Sequence, residues 1–256
     1  MLLLDIGNTN LRWTTQAAGR LGEVRILRHG GGMTLDLLAA WEALGAPSRI
    51  LVSNVGGAAV AESLRRVTRA YWGLDPEFVS TRADFGGVRI AYAEPARFGV
   101  DRWLTLIAAH APALDDAGTA PRQPTLILDA GTAATFDLLL ADGRHLGGLI
   151  LPGIEMMRNS LLAGTQIPRI ESEPVGDPWA QDTGTAVAAG SVQAIAALAR
   201  RLLDRLTEQA GATPRLLLTG GDAQRLRSAL DRPFQEIPDL VLRGLLQVAE
   251  RIPLSG

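Results

Sequence analysis

The residues of this chain that could do chemistry gather in a few short glycine-rich stretches. The first, LLLDIGNTNLRW, ends an apolar run in Asp5 and turns through Gly7, Asn8 and Thr9 before Arg12. A near-copy, LILDAGTAATFD, sets Asp129, Gly131 and Thr132 at matching places about half of the 256-residue chain further on. An acidic residue at the end of a strand is costly to bury unless a cation or hydrogen-bond donors satisfy it. The glycine after it allows close backbone approach to a ligand, and successive amides in a tight turn form a concave anion site. Each turn therefore offers amides and hydroxyls to a phosphate and a carboxylate to a hydrated cation. Mg²⁺ suits such a site, because it binds through one or two carboxylates plus substrate phosphates and keeps several waters. Arg12, on the return strand, could also reach a phosphate. A third stretch, LLLTGGDA, ends a strand in Gly220 and Gly221, where backbone without side chains could accept a nucleobase or sugar. Asp101 beside Arg102 is a carboxylate whose neighbour favours the charged, proton-accepting form.

Composition narrows the chemistry. The chain has no Lys, so all 25 basic residues are Arg. A Walker A loop and a protein-kinase strand lysine are both excluded. Phosphates, if bound, must be held by amides, hydroxyls, Arg and metal. With no Cys there is no disulfide or thiolate chemistry. His29, His110 and His145 are far apart and form no zinc motif. The net charge of −2 and the absence of a basic helix argue against nucleic acid and anionic membrane as partners. The start of the chain reads straight into a strand with no signal-peptide pattern, and no apolar run looks long enough to span a bilayer, so a cytoplasmic protein is expected.

These turns need elements to position them. Leu2–Leu4 and Leu11–Thr14 flank the Gly7-Asn8 turn as a hairpin. A strand over 23–27 follows, then a helix carrying Leu35, Leu38, Trp41 and Leu44 behind a Thr34 cap. A strand over 49–53, a helix through Val60, Leu64, Val67 and Tyr71, and a strand over 77–79 complete the first half. The Ala-, Gly-, Asp- and Pro-rich segment 115–124 reads as a domain boundary. Beyond it the pattern restarts with strands over 126–128, 136–140 and 147–151. A long helix through Val192, Ile195, Leu198, Leu202 and Leu206 comes next, then a strand over 215–219 and a helix over 223–230. The expectation is α/β, with two domains, residues 1–115 and 116–256, each opened by a hairpin. No repeat beyond the two hairpins is visible in the sequence.

The order of hairpin, second Asp-Gly-Thr hairpin and strand-Gly-Gly resembles the acetate and sugar kinase, Hsp70 and actin superfamily. Within it, the chain resembles type III pantothenate kinases over nearly its whole length. The stretches that carry the likeness are DIGNTNLRW, YAEPARFGVDRW, LDAGTAATFD, GGLILPGIEMMRNSL, DTGTAVAAG, TGGDA and DLVLRGL. The resemblance implies two ribonuclease-H-like domains of the actin-like ATPase fold facing a central nucleotide cleft. It implies transfer of the γ-phosphoryl of ATP to the 4′-hydroxyl of pantothenate, the first step towards coenzyme A. Asp101, within the motif that begins at Gly99, would be the general base. Asp5 and Asn8 would serve the phosphates and Mg²⁺, Thr132 would contact phosphate, and Asp129 would lie at a site for K⁺ or NH4⁺. Tyr92, Arg102 and Thr183 would hold pantothenate. A homodimer is implied too. The chain departs from the family in carrying Arg12 where Lys is frequent and Asp182 where Asn is frequent. The latter leaves Thr185 as a rival to Thr183, and Arg97 rivals Arg102 for the substrate carboxylate. Competing readings are another small-molecule phosphotransferase of the superfamily and a non-catalytic nucleotide-binding regulator.

Overall fold

The computed structural model describes residues 1–42, 44–112, 122–167 and 179–252, and these divide into two units. The first comprises Met1–Asp116 and Asp239–Gly256, the second Ala117–Pro238.

In the first unit, β1 (Leu2–Ile6) is buried at every residue. It pairs antiparallel with β2 (Asn10–Ala17), which is extended by β3 (Arg20–Leu21) and β4 (Arg25–Arg28). After α1 (Leu35–Glu42), β5 (Ile50–Asn54) returns parallel to β1. After α2 (Ala58–Trp72), β6 (Glu77–Phe78) lies parallel to β5. A small hairpin of β7 (Asp84–Phe85) and β8 (Val88–Arg89) leads to α3 (Val100–His110). The unbroken apolar runs of β1 and β5 suit central strands covered on both faces. Trp13, Trp41 and Trp72 meet in the core of this unit, Trp13 edge-on to Trp41 at 6.2 Å between ring centroids and Trp72 tilted against Trp41 at 5.2 Å.

The second unit repeats that order. Strand β9 (Thr125–Ala130) pairs antiparallel with β10 (Ala133–Leu139), and β10 with β11 (His145–Pro152). Helices α4 (Ile154–Ala163) and α5 (Thr183–Ala210) follow. Then β12 (Arg215–Thr219) returns parallel to β9, and, after α6 (Ala223–Leu226), β13 (Phe234–Glu236) lies parallel to β12. The sheet orders β2-β1-β5-β6 and β10-β9-β12-β13 correspond strand for strand. The repeat thus reaches past the hairpins to the strand and glycine turn that follow in each half. Two glycine pairs, Gly56-Gly57 and Gly220-Gly221, sit in corresponding turns. Helix α5 has the length and composition to cross a bilayer, yet its Ala188, Val192, Ile195, Ala199, Leu203 and Leu206 are buried in the core of this unit.

The last helix, α7 (Leu240–Arg251), departs from the expected division at residues 115 and 116. It belongs to the first unit. It buries Leu240, Val241, Leu242, Leu245, Leu246, Val248 and Ala249. It approaches α3 so closely at Gly244 that a β-carbon there would overlap the Leu104 backbone. The buried Arg49 side chain donates to the carbonyls of Ala249 (3.3 Å) and Ile252 (3.0 Å), tying the helix end to β5. Other elements shift slightly from expectation. Thr34 does cap α1, accepting from the Leu37 amide at 3.4 Å, but the helix buries Leu37 and Trp41 and leaves Leu35 83% exposed. Helix α6 stops at Leu226, short of residue 230. The proposed boundary segment lies mostly outside the described residues.

Candidate active site

The first acidic turn is built at the end of β1. Register places Asp5 opposite Arg12 on β2 and Ser53 on β5. All three side chains share a face, as directly paired residues do. Ser53 Oγ donates to Asp5 Oδ1 at 3.0 Å, and an Arg12 guanidinium nitrogen lies 3.7 Å from Oδ2. Burial pushes the Asp5 carboxyl up to about 6, Arg12 pulls it back, and the negative charge of Asp101 adds to the rise. Asp5 and Asp101 therefore act within one electrostatic field in the first unit. The turn itself is closed by the Gly7 amide donating to the Asn10 carbonyl at 2.9 Å, which leaves Asn8 exposed at its tip.

Asp101 stands in the first turn of α3, whose N-cap is Gly99. Its Oδ1 accepts from the Arg102 amide at 2.8 Å. A β-carbon on Gly99 would come within 2.6 Å of that same oxygen, so the glycine leaves room for the carboxylate. Arg102 is buried. Its guanidinium lies over the Phe98 ring, 4.6 Å from the centroid, and donates to the Tyr92 hydroxyl at 3.4 Å. Tyr92 and Phe98 are themselves 4.8 Å apart. The structure thus gathers Tyr92, Phe98, Gly99, Asp101 and Arg102 into one cluster of cation, aromatic face and carboxylate. Arg97, the rival to Arg102, is 75% exposed and paired with Glu94 at 2.9 Å on the surface.

The second acidic turn lies in the other unit, at the end of β9. Asp129 stands opposite Thr135 on β10 and Thr219 on β12, the same register positions as Arg12 and Ser53 around Asp5. The Gly131 amide donates to the Ala133 carbonyl at 3.0 Å, and Thr132 is exposed at the tip. Two further glycines press against this turn. A β-carbon on Gly153, the N-cap of α4, would overlap the Gly131 and Thr132 carbonyls. One on Gly220, at φ 98°, would overlap the Ala130 carbonyl and an Asp129 carboxylate oxygen. Only glycine combines that conformation with that approach. The Asp222 amide donates to the Ala130 carbonyl at 2.8 Å, so the Gly220-Gly221 turn is stitched to the acidic turn. Behind it, Glu155 binds Arg225 at 2.8 Å and Arg158 at 3.1 Å, joining α4 to α6.

The start of α5 carries the last sequence candidates. Asp182 caps the helix, accepting from the Thr185 amide at 2.9 Å and the Thr185 hydroxyl at 2.7 Å. The Thr185 hydroxyl is thereby committed to the cap, while Thr183 is exposed at the first helical position. Hydrogen bonds from the Thr185 amide and hydroxyl hold the Asp182 carboxyl below the usual carboxylate range. Sequence reasoning did not single out Ser53, which donates to Asp5, or Phe98, which lies under the Arg102 guanidinium. The first was open to discovery by asking which residue lies beside Asp5 on the neighbouring parallel strand. Among the described residues no three His, Cys, Asp or Glu gather as a metal site. A divalent ion at Asp5 would have to be completed by phosphate and water, as is usual for Mg²⁺. The burial that lifts the Asp5 carboxyl fits such an ion, whose charge would offset it.

Two units with the same strand order, each ending its first strand in a carboxylate and a glycine turn, define the actin-like ATPase and sugar-kinase fold. Solved structures share it. A protein from Campylobacter jejuni described as a conserved Baf family transcriptional activator superposes with a TM-score of 0.60 at 22% identity, covering 98% of both chains. A protein from Sinorhizobium meliloti described as a 2-dehydro-3-deoxygalactonokinase gives 0.55 at 15% identity, also covering 98% of both. At these identities the likeness is one of fold alone. The sequence goes further. Residues 1–205 match the model of the type III pantothenate kinase family. The type III pantothenate kinase of Nitrosococcus oceani is 36% identical over 252 residues, 98% of this chain and 94% of its own. The chain belongs to the type III pantothenate kinase family.

Proposed function

We propose that this chain transfers the γ-phosphoryl group of ATP to the 4′-hydroxyl of pantothenate, giving 4′-phosphopantothenate and ADP, with the following division of labour. The Asp101 carboxylate accepts the hydroxyl proton as the substrate oxygen bonds to the γ-phosphorus and the bond to the β-phosphate oxygen breaks. Arg102, held over Phe98 and against Tyr92, attracts the pantothenate carboxylate or orients the hydroxyl beside Asp101. Thr183 supplies a further hydroxyl to the substrate. Gly7, Asn8, Thr9 and Arg12 of the first turn offer amides, hydroxyls and guanidinium to phosphate oxygens, and Gly131 and Thr132 of the second turn offer amide and hydroxyl. Gly220 and Gly221 leave backbone open to the nucleoside. A magnesium ion held at Asp5 through water would neutralise phosphate charge. Phosphoryl transfer depends mostly on such positioning and charge neutralisation.

One observation supports this reading above the others: Asp101, Arg102 and Tyr92 form a single cluster whose carboxylate raises the Asp5 carboxyl. A monovalent cation, K⁺ or NH4⁺, is assigned to Asp129. A homodimer is assigned because the edge strand β11 and helix α4 leave Leu149, Ile150, Met156 and Leu161 exposed, Ile150 at 59%. Exposed apolar residues grouped in this way mark contact surfaces. The cytoplasm is the compartment this chemistry implies. The test is a coupled ADP-release assay with pantothenate, run with and without K⁺ or NH4⁺. Turnover with pantothenate is expected, stimulated by the cation. Turnover with a sugar and none with pantothenate would replace the acceptor, and nucleotide binding without turnover on either would point to a regulator.

A further inference from the structure

His29 plays no part in the roles above, yet it is buried against the first phosphate turn. Its Nδ1 accepts from the Gly31 amide at 3.1 Å, and its Nε2 lies 2.8 Å from the Gly7 carbonyl oxygen. A carbonyl only accepts, so Nε2 carries a ring hydrogen and donates to it, while Nδ1 serves as the acceptor for Gly31. The His29 backbone amide donates to the Thr9 carbonyl at 3.3 Å, so one residue grips the turn at both Gly7 and Thr9. The loop that carries it is moored in turn. Gly32 donates to the His29 carbonyl at 2.8 Å, and Met33 donates to Ser63 Oγ on α2 at 3.3 Å. On the other side, Gly56 lies so near that a β-carbon there would come within 2.8 Å of the Gly7 oxygen.

The Gly7–Asn8 peptide is trans and planar, so its C=O and N–H point in opposite directions. Fixing the Gly7 oxygen therefore fixes where the Asn8 N–H points. Donation to that oxygen also polarises the peptide and makes its N–H a better donor. We propose that His29 is a positioning residue that holds the Gly7–Asn8 peptide so that the Asn8 amide is presented to a nucleotide phosphate. This rests on the assignment of the first turn to phosphate. His29 does not touch the ligand and acts through the turn.

Two substitutions separate the two ring contacts. His29→Asn places a side-chain oxygen near the position of Nδ1, which keeps an acceptor for Gly31 and removes the donor to Gly7. His29→Gln places an amide nitrogen near the position of Nε2, which keeps the donor to Gly7 and gives up the acceptor. Binding of Mg²⁺ with a non-hydrolysable ATP analogue, by calorimetry, is measured beside KM and kcat. The Asn variant is expected to weaken analogue binding and raise the KM for ATP about tenfold, as for one lost hydrogen bond. Its KM for pantothenate should stay within about twofold, and the Gln variant should bind the analogue within about threefold of the parent. Asn binding as the parent does, Gln failing as Asn does, or an equal rise in both KM values would each overturn the proposal. A parent protein that binds no nucleotide would instead remove the phosphate assignment on which it rests.

Discussion

Replacing Asp5 by Asn should stabilise the unliganded protein at neutral and alkaline pH while removing its capacity to hold a metal-bound phosphate. Asn has the shape of Asp and can still accept from Ser53, so the change removes charge and little else. The Asp5 carboxyl rises from 3.8 to about 6 on folding, chiefly through burial. A carboxyl raised on folding keeps its full contribution to stability below the unfolded value and loses it as pH climbs through the folded one. At ~1.4 kcal/mol per pH unit, the penalty is ~1 kcal/mol at pH 4.5 and ~3 kcal/mol at pH 8. Asn carries no such penalty, so the stability gap in favour of Asp5→Asn should widen by ~2 kcal/mol between those pH values. The Arg12 charge, 3.7 Å away, already holds the folded value down to about 6, so its effect is contained in that gap. Urea unfolding at pH 4.5, 6 and 8 reads the difference directly. Added Mg²⁺ and ATP should stabilise the parent and not the variant. A gap that does not grow with pH, or a variant less stable than the parent at pH 8, would refute the claim that burial governs this carboxyl.

The remaining expectations concern the other proposed roles. Asp101→Asn should lower kcat by about 10²- to 10⁴-fold with ATP binding unchanged in calorimetry, since only the proton acceptor is lost; unaltered turnover would remove Asp101 from the chemistry. Asp129→Ala should blunt the stimulation of turnover by K⁺, and an intact K⁺ response would move the cation elsewhere. Ile150→Glu, placed on the exposed edge strand, should shift the protein from dimer to monomer in light scattering. An unchanged dimer would relocate the interface.

What the sequence made legible follows from where the physics is local. The runs Leu2–Leu4 and Leu126–Leu128 declare buried central strands because all their side chains are apolar, and the acid and glycine that end them mark the turns. The Thr34 cap and the long stripe of α5 were equally plain. Helix α4 was not, because it buries only Ile154 and Arg158 and so carries no apolar stripe. The face of α1 was misjudged, since Leu35 and Leu37 are alike in type and only Leu37 joins Trp41 in the core. The return of α7 to the first unit was hidden because it depends on Gly244 meeting Leu104, a contact between distant parts of the chain. His29 was invisible for the same reason: nothing near it in sequence announces that its ring meets Gly7.

The shared register of the two carboxylates also explains why they need not do the same work. Around Asp5 the paired positions hold Arg12 and Ser53, so a fixed positive charge stands beside the carboxylate. Around Asp129 the same positions hold Thr135 and Thr219, which bring hydroxyl oxygens and no cation. The Gly220 turn adds the nearby Ala130 carbonyl, held by the Asp222 amide. Hard cations prefer such oxygen ligands, and a guanidinium would compete with them for the carboxylate. On the proposed roles, the first carboxylate set would serve phosphate and a hydrated divalent ion, and the second a monovalent ion. Exchanging the neighbours tests this. Thr135→Arg should abolish K⁺ stimulation while sparing the fold, because the same position on β2 already accommodates Arg12. Persistence of the K⁺ response with that guanidinium in place would separate Asp129 from the cation.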